Sequence, residues 1–447
     1  MNPRSALLLG VSGAAAAIPW MPGFEHAQAW LGDAALLDAT SRLFLVLVNT
    51  VFFGIAAHVV NAAVHHDDGD HLVERLVTHG LPFLVACDVA IVAASPVVGW
   101  AGLEASTLFV APLVAAGHRE RMWGSFQYFV FSSVGLSIAL LGFACLEHAG
   151  GGAEFTWTGL ARAPLGGPWV EVGLFLVLGG YGAKLGLFPL NTWLPLAYAT
   201  APGPVAALLG AVQFNAALVA VVRVVITFHP VAPAFVEGWF VGVGLASMAV
   251  STLGIVVTRD YLRLLGYGSI NHAGVIAVGL GLGAPAAYGV LVYVVSNAFI
   301  KAILFLAAGR VYTVFRTSDA TKVRGLVKLL PYNGLMLMVG TFALLGLPPF
   351  GSFLGELLIL SAVVESGWVE LLLPFCLLLV VSFVAIGRTL FPMIWGEPDP
   401  EARYAREKLN VAVPKLMFLG ALVLLGLYVP APVNDVLRSV ASALGGR

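Results

Sequence analysis

The chain has 447 residues, of which 59% are hydrophobic and 11% charged, with a net charge of −1 and a mean hydropathy of +0.93. That balance excludes a soluble globular protein, leaves no stretch for a soluble domain of any size, and gives no reason to expect a nucleic-acid partner. The expected fold class is an all-α integral membrane protein.

Apolar segments of about 17 to 25 residues, enough to cross ~30 Å of hydrocarbon as a helix, recur along the whole chain. Thirteen are expected, at 5–20, 41–63, 79–95, 98–116, 124–146, 170–199, 204–228, 236–256, 264–284, 286–313, 332–365, 369–394 and 412–431. The first, "ALLLGVSGAAAAIPW", reads as a span rather than a signal peptide, because no clear cleavage signature precedes Trp20. Two spans, 170–199 and 332–365, are longer than one crossing needs.

Cytoplasmic loops collect Lys and Arg, so the loop charges give an orientation. With the N-terminus inside, fourteen cations fall on the cytoplasmic side: Arg4, Arg75, Arg119, Arg121, Arg259, Arg263, Arg310, Arg316, Lys322, Arg324, Lys328, Arg403, Arg406 and Lys408. Four fall outside: Arg42, Arg162, Arg438 and Arg447. The expected location is the inner (cytoplasmic) membrane, with the C-terminus outside.

Cys87, Cys145 and Cys376 lie in or at the ends of spans, without metal or disulfide spacing. The chain has no GxGxxG, Walker lysine motif or CxxC. No cofactor and no metal are expected, and any redox reaction belongs to another subunit.

Midway along the first long span lies "LGLFP" (185–189), and midway along the second "LGLPP" (345–349). Proline removes a backbone donor and clashes with the preceding turn, so Pro189 and the pair Pro348 and Pro349 should each split a helix inside the membrane. Paired interrupted helices point to a transporter built from repeats. The two sites are five spans apart, and an odd offset makes the repeat inverted. The expected organisation is N-terminal helices over 1–78, repeats over 79–228 and 236–394, and a loop plus a last helix over 395–447.

Ionisable residues at bilayer depth cost at least ~2.5 kcal/mol each, so each is a functional candidate. They are Glu104, Lys184, His272, Lys301 and Glu356, with Arg223, Asp88 and His58 as weaker cases. Arg223 is expected to snorkel to an interface. Burial disfavours a charged side chain and an opposite charge restores it, so an amine balanced between the two exchanges a proton on small movements of its partner. A relay of Glu and Lys needs no bound group.

The residues "GLEASTLF" around Glu104, "GAKLGLFPLNTWLPLAYATAPGPVAALLGA" around Lys184, "LLGYGSINHAGVIAVGLGLG" around His272, "NAFIKAILFLAAGRV" around Lys301 and "LGLPPFGSFLGELLIL" around Glu356 resemble a known family. It comprises the antiporter-like, proton-translocating membrane subunits of respiratory complex I, group 4 membrane-bound hydrogenases and Mrp sodium/proton antiporters. Within it the chain looks closest to the hydrogenase-4 component F and formate hydrogenlyase branch. The resemblance implies two inverted five-helix bundles, each with one broken helix. It also implies a proton path from Glu104 and Lys184 through Lys301 to Glu356, with His272 on the axis. Implied partners are other membrane subunits and a peripheral redox arm carrying metal clusters. Three positions depart from the family pattern: Gln127 and Asn215 stand where members have lysines, and Asn297 where many have a histidine. These keep hydrogen-bonding capacity and lose titratability.

Two other readings share the same core. One is the proton path of a non-redox transporter, for inorganic carbon accumulation or sodium/proton antiport. The other is a structural spacer that no longer pumps.

Overall fold

The computed structural model describes residues 2–21, 24, 32–64, 69–115, 122–398 and 407–446. Of the charges used for orientation, Arg119, Arg121, Arg403, Arg406 and Arg447 lie outside these residues. The described residues are helical, apart from loops and two isolated β-bridges.

The helices are α1 (Pro3–Ala17), α2 (Ala39–Ala63), α3 (Asp70–Val92), α4 (Pro96–Ala115), α5 (Met122–Ala149), α6 (Pro168–Leu185), α7 (Leu194–Thr200) and α8 (Gly203–Phe228). There follow α9 (Pro233–Val257), α10 (Tyr261–Gly281), α11 (Ala284–Phe315), α12 (Pro331–Leu344), α13 (Gly351–Glu365), α14 (Val369–Trp395), α15 (Leu409–Leu427) and α16 (Ala431–Leu444). Their starts are marked in the sequence: Asp38 caps α2 by accepting from Ser41 N at 2.8 Å, and Asp260 caps α10 by accepting from Leu262 N and Arg263 N. Proline occupies the first turn of α1, α6, α9, α11, α12 and α16, where its missing N–H costs nothing.

Ten described helices are long and apolar enough to cross a membrane. The remaining three expected spans are the 15-residue α1 and the two pairs α6/α7 and α12/α13. Length and composition thus give ten candidate crossings among the described residues, and thirteen is reached only by counting these as well.

Both pairs break by the same device. Gly186 and Gly346 take left-handed backbone, φ 74° and 63°. In each, the glycine N–H donates back three residues (to Ala183 O and Ala343 O), and the next N–H donates back five (Leu187 to Gly182 O at 2.7 Å, Leu347 to Phe342 O at 3.1 Å). This is a Schellman ending, and the following prolines keep the helix from resuming. Freed groups find side chains: Trp193 Nε1 donates to Ala183 O at 3.0 Å, Ser352 Oγ to Ala343 O at 2.7 Å, and Phe188 N to Ser247 Oγ at 2.9 Å. Irregular backbone at membrane depth survives only with such partners.

Two five-helix sets, α3 to α8 and α9 to α14, pack alike. The first helix of each packs on the second, the third on both halves of the broken helix, and the fifth on the first. They run in opposite directions. Arg223 Nη2, near the end of α8, reaches Ile91 O, near the end of α3, at 3.5 Å, so α9 starts on the side where α3 finishes. The nearly wholly buried α8, α10 and α11 form the centre of the bundle.

Arg223 does not snorkel. Its guanidinium is 4% exposed and pairs with Asp38 at 3.1 Å, while Nη2 also donates to Ser41 Oγ at 2.7 Å. Asp38 lies outside every span, so the pattern of the spans alone hides this partner. The pair ties α8 to the start of α2 and the end of α3.

The glycine caps give a stability prediction. Placing alanine at Gly346 costs about 1–2 kcal/mol of left-handed backbone strain, and its methyl meets the Glu356 carboxylate. Gly346→Ala is expected to lower the melting temperature of the purified protein. Gly10→Ala, on a helix face with open space around it, is not.

Candidate functional site

The first cluster surrounds Lys184, at the end of α6 and 4% exposed. Because the helix stops two residues later, the side chain points into the bundle from a helix end rather than from a continuous rod. Its Nζ donates to Thr107 Oγ1 at 2.5 Å and to Tyr128 OH at 3.2 Å, and lies 5.0 Å from the Tyr128 ring centre. Tyr128 OH donates to Gln213 Oε1 at 2.7 Å, and Gln213 Nε2 to Ser106 Oγ at 3.0 Å. Four helices, α4, α5, α6 and α8, therefore meet in one hydrogen-bonded chain.

Glu104 stands apart from this chain. Its Oε1 accepts from Ser133 Oγ at 2.6 Å, Oε2 is buried without a partner, and among the described residues no ion pair joins it to Lys184. Gln127 is half-buried and outside the Lys184 chain, where the adjacent Tyr128 takes part instead. Sequence reading missed Thr107, Tyr128 and Gln213. Thr107 and Tyr128 stand beside motif residues, but neutral side chains in apolar spans carry little signal.

The second cluster surrounds Lys301 on α11, 3% exposed. Its Nζ has no hydrogen-bond partner and sits 3.9 Å from the centre of the Phe214 ring. A cation over an aromatic face is worth up to ~2 kcal/mol when desolvated. One turn earlier on α11, Asn297 has both side-chain polar atoms buried and unpaired. Asn215 donates to Ala211 O at 2.7 Å and leaves Oδ1 unpaired. Native interiors seldom leave such atoms orphaned, and in polar sites of sufficient size bridging water is the usual answer.

Helix α8 separates the two lysines. A π-helical turn at Leu208–Gln213 interrupts α8, and its neighbours Gln213 and Phe214, about 100° apart around a helix axis, meet the Lys184 chain and Lys301 respectively. Such turns recur at functional sites in helices.

The third cluster lies beside the second break. Tyr293 OH and His272 Nδ1 are hydrogen-bonded, with their rings stacked at 5.4 Å. Both line a cavity of about 360 Å³ with Glu356, Asn271 and Ser382. Glu356, half-buried in the first turns of α13, lays its carboxylate against Gly346. Asn271 Nδ2 donates to Ser251, Thr252 and Ser382 hydroxyls at 3.2–3.3 Å.

Tyr293, Asn297 and Lys301 are spaced four apart and so share one stripe of α11, over about 12 Å of helix rise. That spacing was legible in the sequence and links the third cluster to the second. Of the weaker candidates, Asp88 accepts from Asn49 Nδ2 at 2.9 Å, and His58 bonds Val411 O at 2.9 Å near the end of α2. A further buried charge, Lys415 on α15, is fully buried and donates to Asn333 Oδ1 at 2.5 Å.

A multi-pass helical bundle of two inverted repeats, each with a broken helix, and with lysines buried at the core, has the architecture of an antiporter-like membrane subunit. The chain belongs to the family described as NADH:quinone oxidoreductase/Mrp antiporter, TM, which matches residues 95–382. It is 30% identical over 421 residues to the hydrogenase-4 component F homolog of Methylacidiphilum infernorum (isolate V4), covering 90% of this chain and 87% of that one. Over 361 residues it is 29% identical to NADH-quinone oxidoreductase subunit N of Desulforudis audaxviator (strain MP104C), covering 75% and 70%. Its fold matches a chain of the membrane-bound sulfane sulfur reductase, an archaeal respiratory membrane complex, with TM-score 0.86 and 22% identity, covering 99% and 92%.

The unpaired atoms around Lys301 predict local hydration. In hydroxyl-radical footprinting of the native protein, Phe214 should be labelled well above Phe375, a fully buried ring of the hydrophobic core. Equal protection of both rings would mean a dry site.

Proposed function

We propose that the chain is the proton-translocating subunit of a redox-driven membrane complex. The single observation that carries this reading is a pair of buried lysines on opposite sides of α8, neither held by a carboxylate within ion-pair distance. An amine so placed gains little by remaining charged, and it exchanges one proton with neighbouring hydroxyls or water when the local field changes.

The relay runs from Glu104 to Lys184, crosses α8 to Lys301, and continues along the α11 stripe to His272 and Glu356. Gln127, Asn215 and Asn297 are polar path candidates. Asn215 and Asn297 hydrate the route between titrating groups, whereas Gln127 lies beside it. The repeats proposed are 79–228 and 236–394, each acting as one unit around its break.

The hydrogenase-4 and NADH-quinone oxidoreductase relatives support a redox complex with other membrane subunits and a peripheral arm holding metal clusters. The Lys and Arg that follow α11 (Arg316, Lys322, Arg324 and Lys328) and α14 (Arg403, Arg406 and Lys408) support an inner-membrane protein with that end, and the N-terminus, in the cytoplasm. A non-redox transporter uses the same core, and copurification separates the two: cluster-bearing subunits support the redox reading, and their absence opposes it.

The relay has a direct test. In proteoliposomes of the complex purified with this chain, Lys184→Ala and Lys301→Ala should each reduce proton translocation at least tenfold, with subunit composition unchanged. Full translocation in both variants would remove the relay assignment. Glu104→Gln should slow translocation by a smaller factor than either, because no direct bond joins Glu104 to Lys184.

A further inference from the structure

The hydrogen bonds around Lys184 close into a ring. Nζ donates to Thr107 Oγ1 and to Tyr128 OH, Tyr128 OH donates to Gln213 Oε1, and Gln213 Nε2 donates to Ser106 Oγ. Thr107 and Ser106 then both donate to the Leu103 carbonyl, at 3.0 and 2.7 Å. Each hydroxyl has a single hydrogen to give, and none is directed at the amine. An ammonium, which only donates, fits this arrangement. A neutral amine does not, because its lone pair meets no O–H, and an unmet buried polar group is costly.

The heavy atoms of the ring are held in place. Ser106, Thr107 and Tyr128 are fully buried, and Gln213 is 3% exposed. The Tyr128 phenol lies edge-on to Trp193, with 5.3 Å between ring centres, and Trp193 is itself anchored by its bond to Ala183 O. What can change without moving a helix is the direction of the hydrogen bonds, and Gln213 is the member able to reverse it. A carboxamide carries an acceptor and a donor of similar size on one flat group, and half a turn about its last torsion exchanges them. Turned over, Nε2 donates to Tyr128 OH, Oε1 accepts from Ser106 Oγ, and the Tyr128 hydrogen is free to meet the Lys184 lone pair. Leu103 O keeps its bond from Thr107, so the reversal leaves no side-chain donor of the ring without an acceptor.

We infer that Gln213 is a positioning residue for Lys184, its carboxamide turning over as the lysine loses and regains a proton, so that Tyr128 accepts from the ammonium and donates to the neutral amine. The ring orients the amine and does not conduct. A carboxamide takes up no proton near neutral pH, so Lys184 exchanges its one proton with groups outside the ring. Among the described residues, the ionisable groups close to the amine besides Tyr128 on α5 are Glu104 on α4 and Cys87 on α3. The inference rests on the reading of Lys184 as a group that changes charge, and not on the route the proton takes or on the complex it serves.

Infrared difference spectra of the purified complex between low and high pH test it. Wild type should show a shift of a glutamine carboxamide C=O band, assigned by its loss in Gln213→Met, which nearly keeps the volume. The band should also vanish in Lys184→Met, where no amine changes charge. Tyr128→Phe cuts the link between the two side chains, should abolish the same band, and serves if the glutamine variant does not assemble. In proteoliposomes Gln213→Glu, whose carboxylate can only accept, should slow translocation about tenfold, the scale of one lost hydrogen bond, with subunit composition unchanged. No carboxamide band in wild type, a band that persists in Lys184→Met, or wild-type translocation by Gln213→Glu would overturn the inference. The spectra need no translocation, so the two readings fail separately. Loss of translocation in Lys184→Ala without a carboxamide band keeps the relay and removes the turning carboxamide, and a band together with full translocation in Lys184→Ala does the reverse.

Discussion

An ammonium group at the depth of the hydrocarbon is the constraint from which the rest of this structure follows. Each costs ~2.5–3.5 kcal/mol or more at a helix centre, and the described residues bury three, Lys184, Lys301 and Lys415. Lys184 is accommodated by oxygen acceptors from two other helices. Lys301 has only an aromatic face, which offsets part of the cost at best. Among the described residues, neither Lys184 nor Lys301 has a carboxylate within ion-pair distance.

The broken helices shape the surroundings of these charges. The Schellman ending after Lys184 frees the lysine from a continuous helical rod and brings Trp193 back over the exposed carbonyl of Ala183. Its counterpart at Gly346 makes room for the Glu356 carboxylate, since a side chain at 346 would occupy the same space. On α8 the consecutive residues Gln213 and Phe214 meet the Lys184 chain and Lys301 respectively.

Much of this was legible in the sequence because it depends on residues with strong local consequences. Prolines within apolar runs located both breaks, and the odd spacing between them gave the inversion. Lys184, Lys301 and His272 could be picked out because charge and imidazole are rare in such spans. What the sequence hid depends on which helices become neighbours. Tyr128 rather than Gln127 faces Lys184, because the helix presents that side to α4 and α6. Arg223 pairs with Asp38, 185 positions earlier and outside any span. Lys415 is a charge within an apolar span and was within reach of the same rule, but its partner Asn333 comes from another helix.

We propose that Lys301 communicates through water with Asn215 on one side and, along the α11 stripe, with Asn297 and Tyr293 on the other. An experimental density map of the assembled complex, at a resolution that shows ordered water, tests it most directly. Water is expected within hydrogen-bonding distance of Lys301 Nζ, bridging to Asn297 and to Asn215 Oδ1. A dry interior, with Lys301 touching only the Phe214 ring and the asparagines paired to protein, would contradict it.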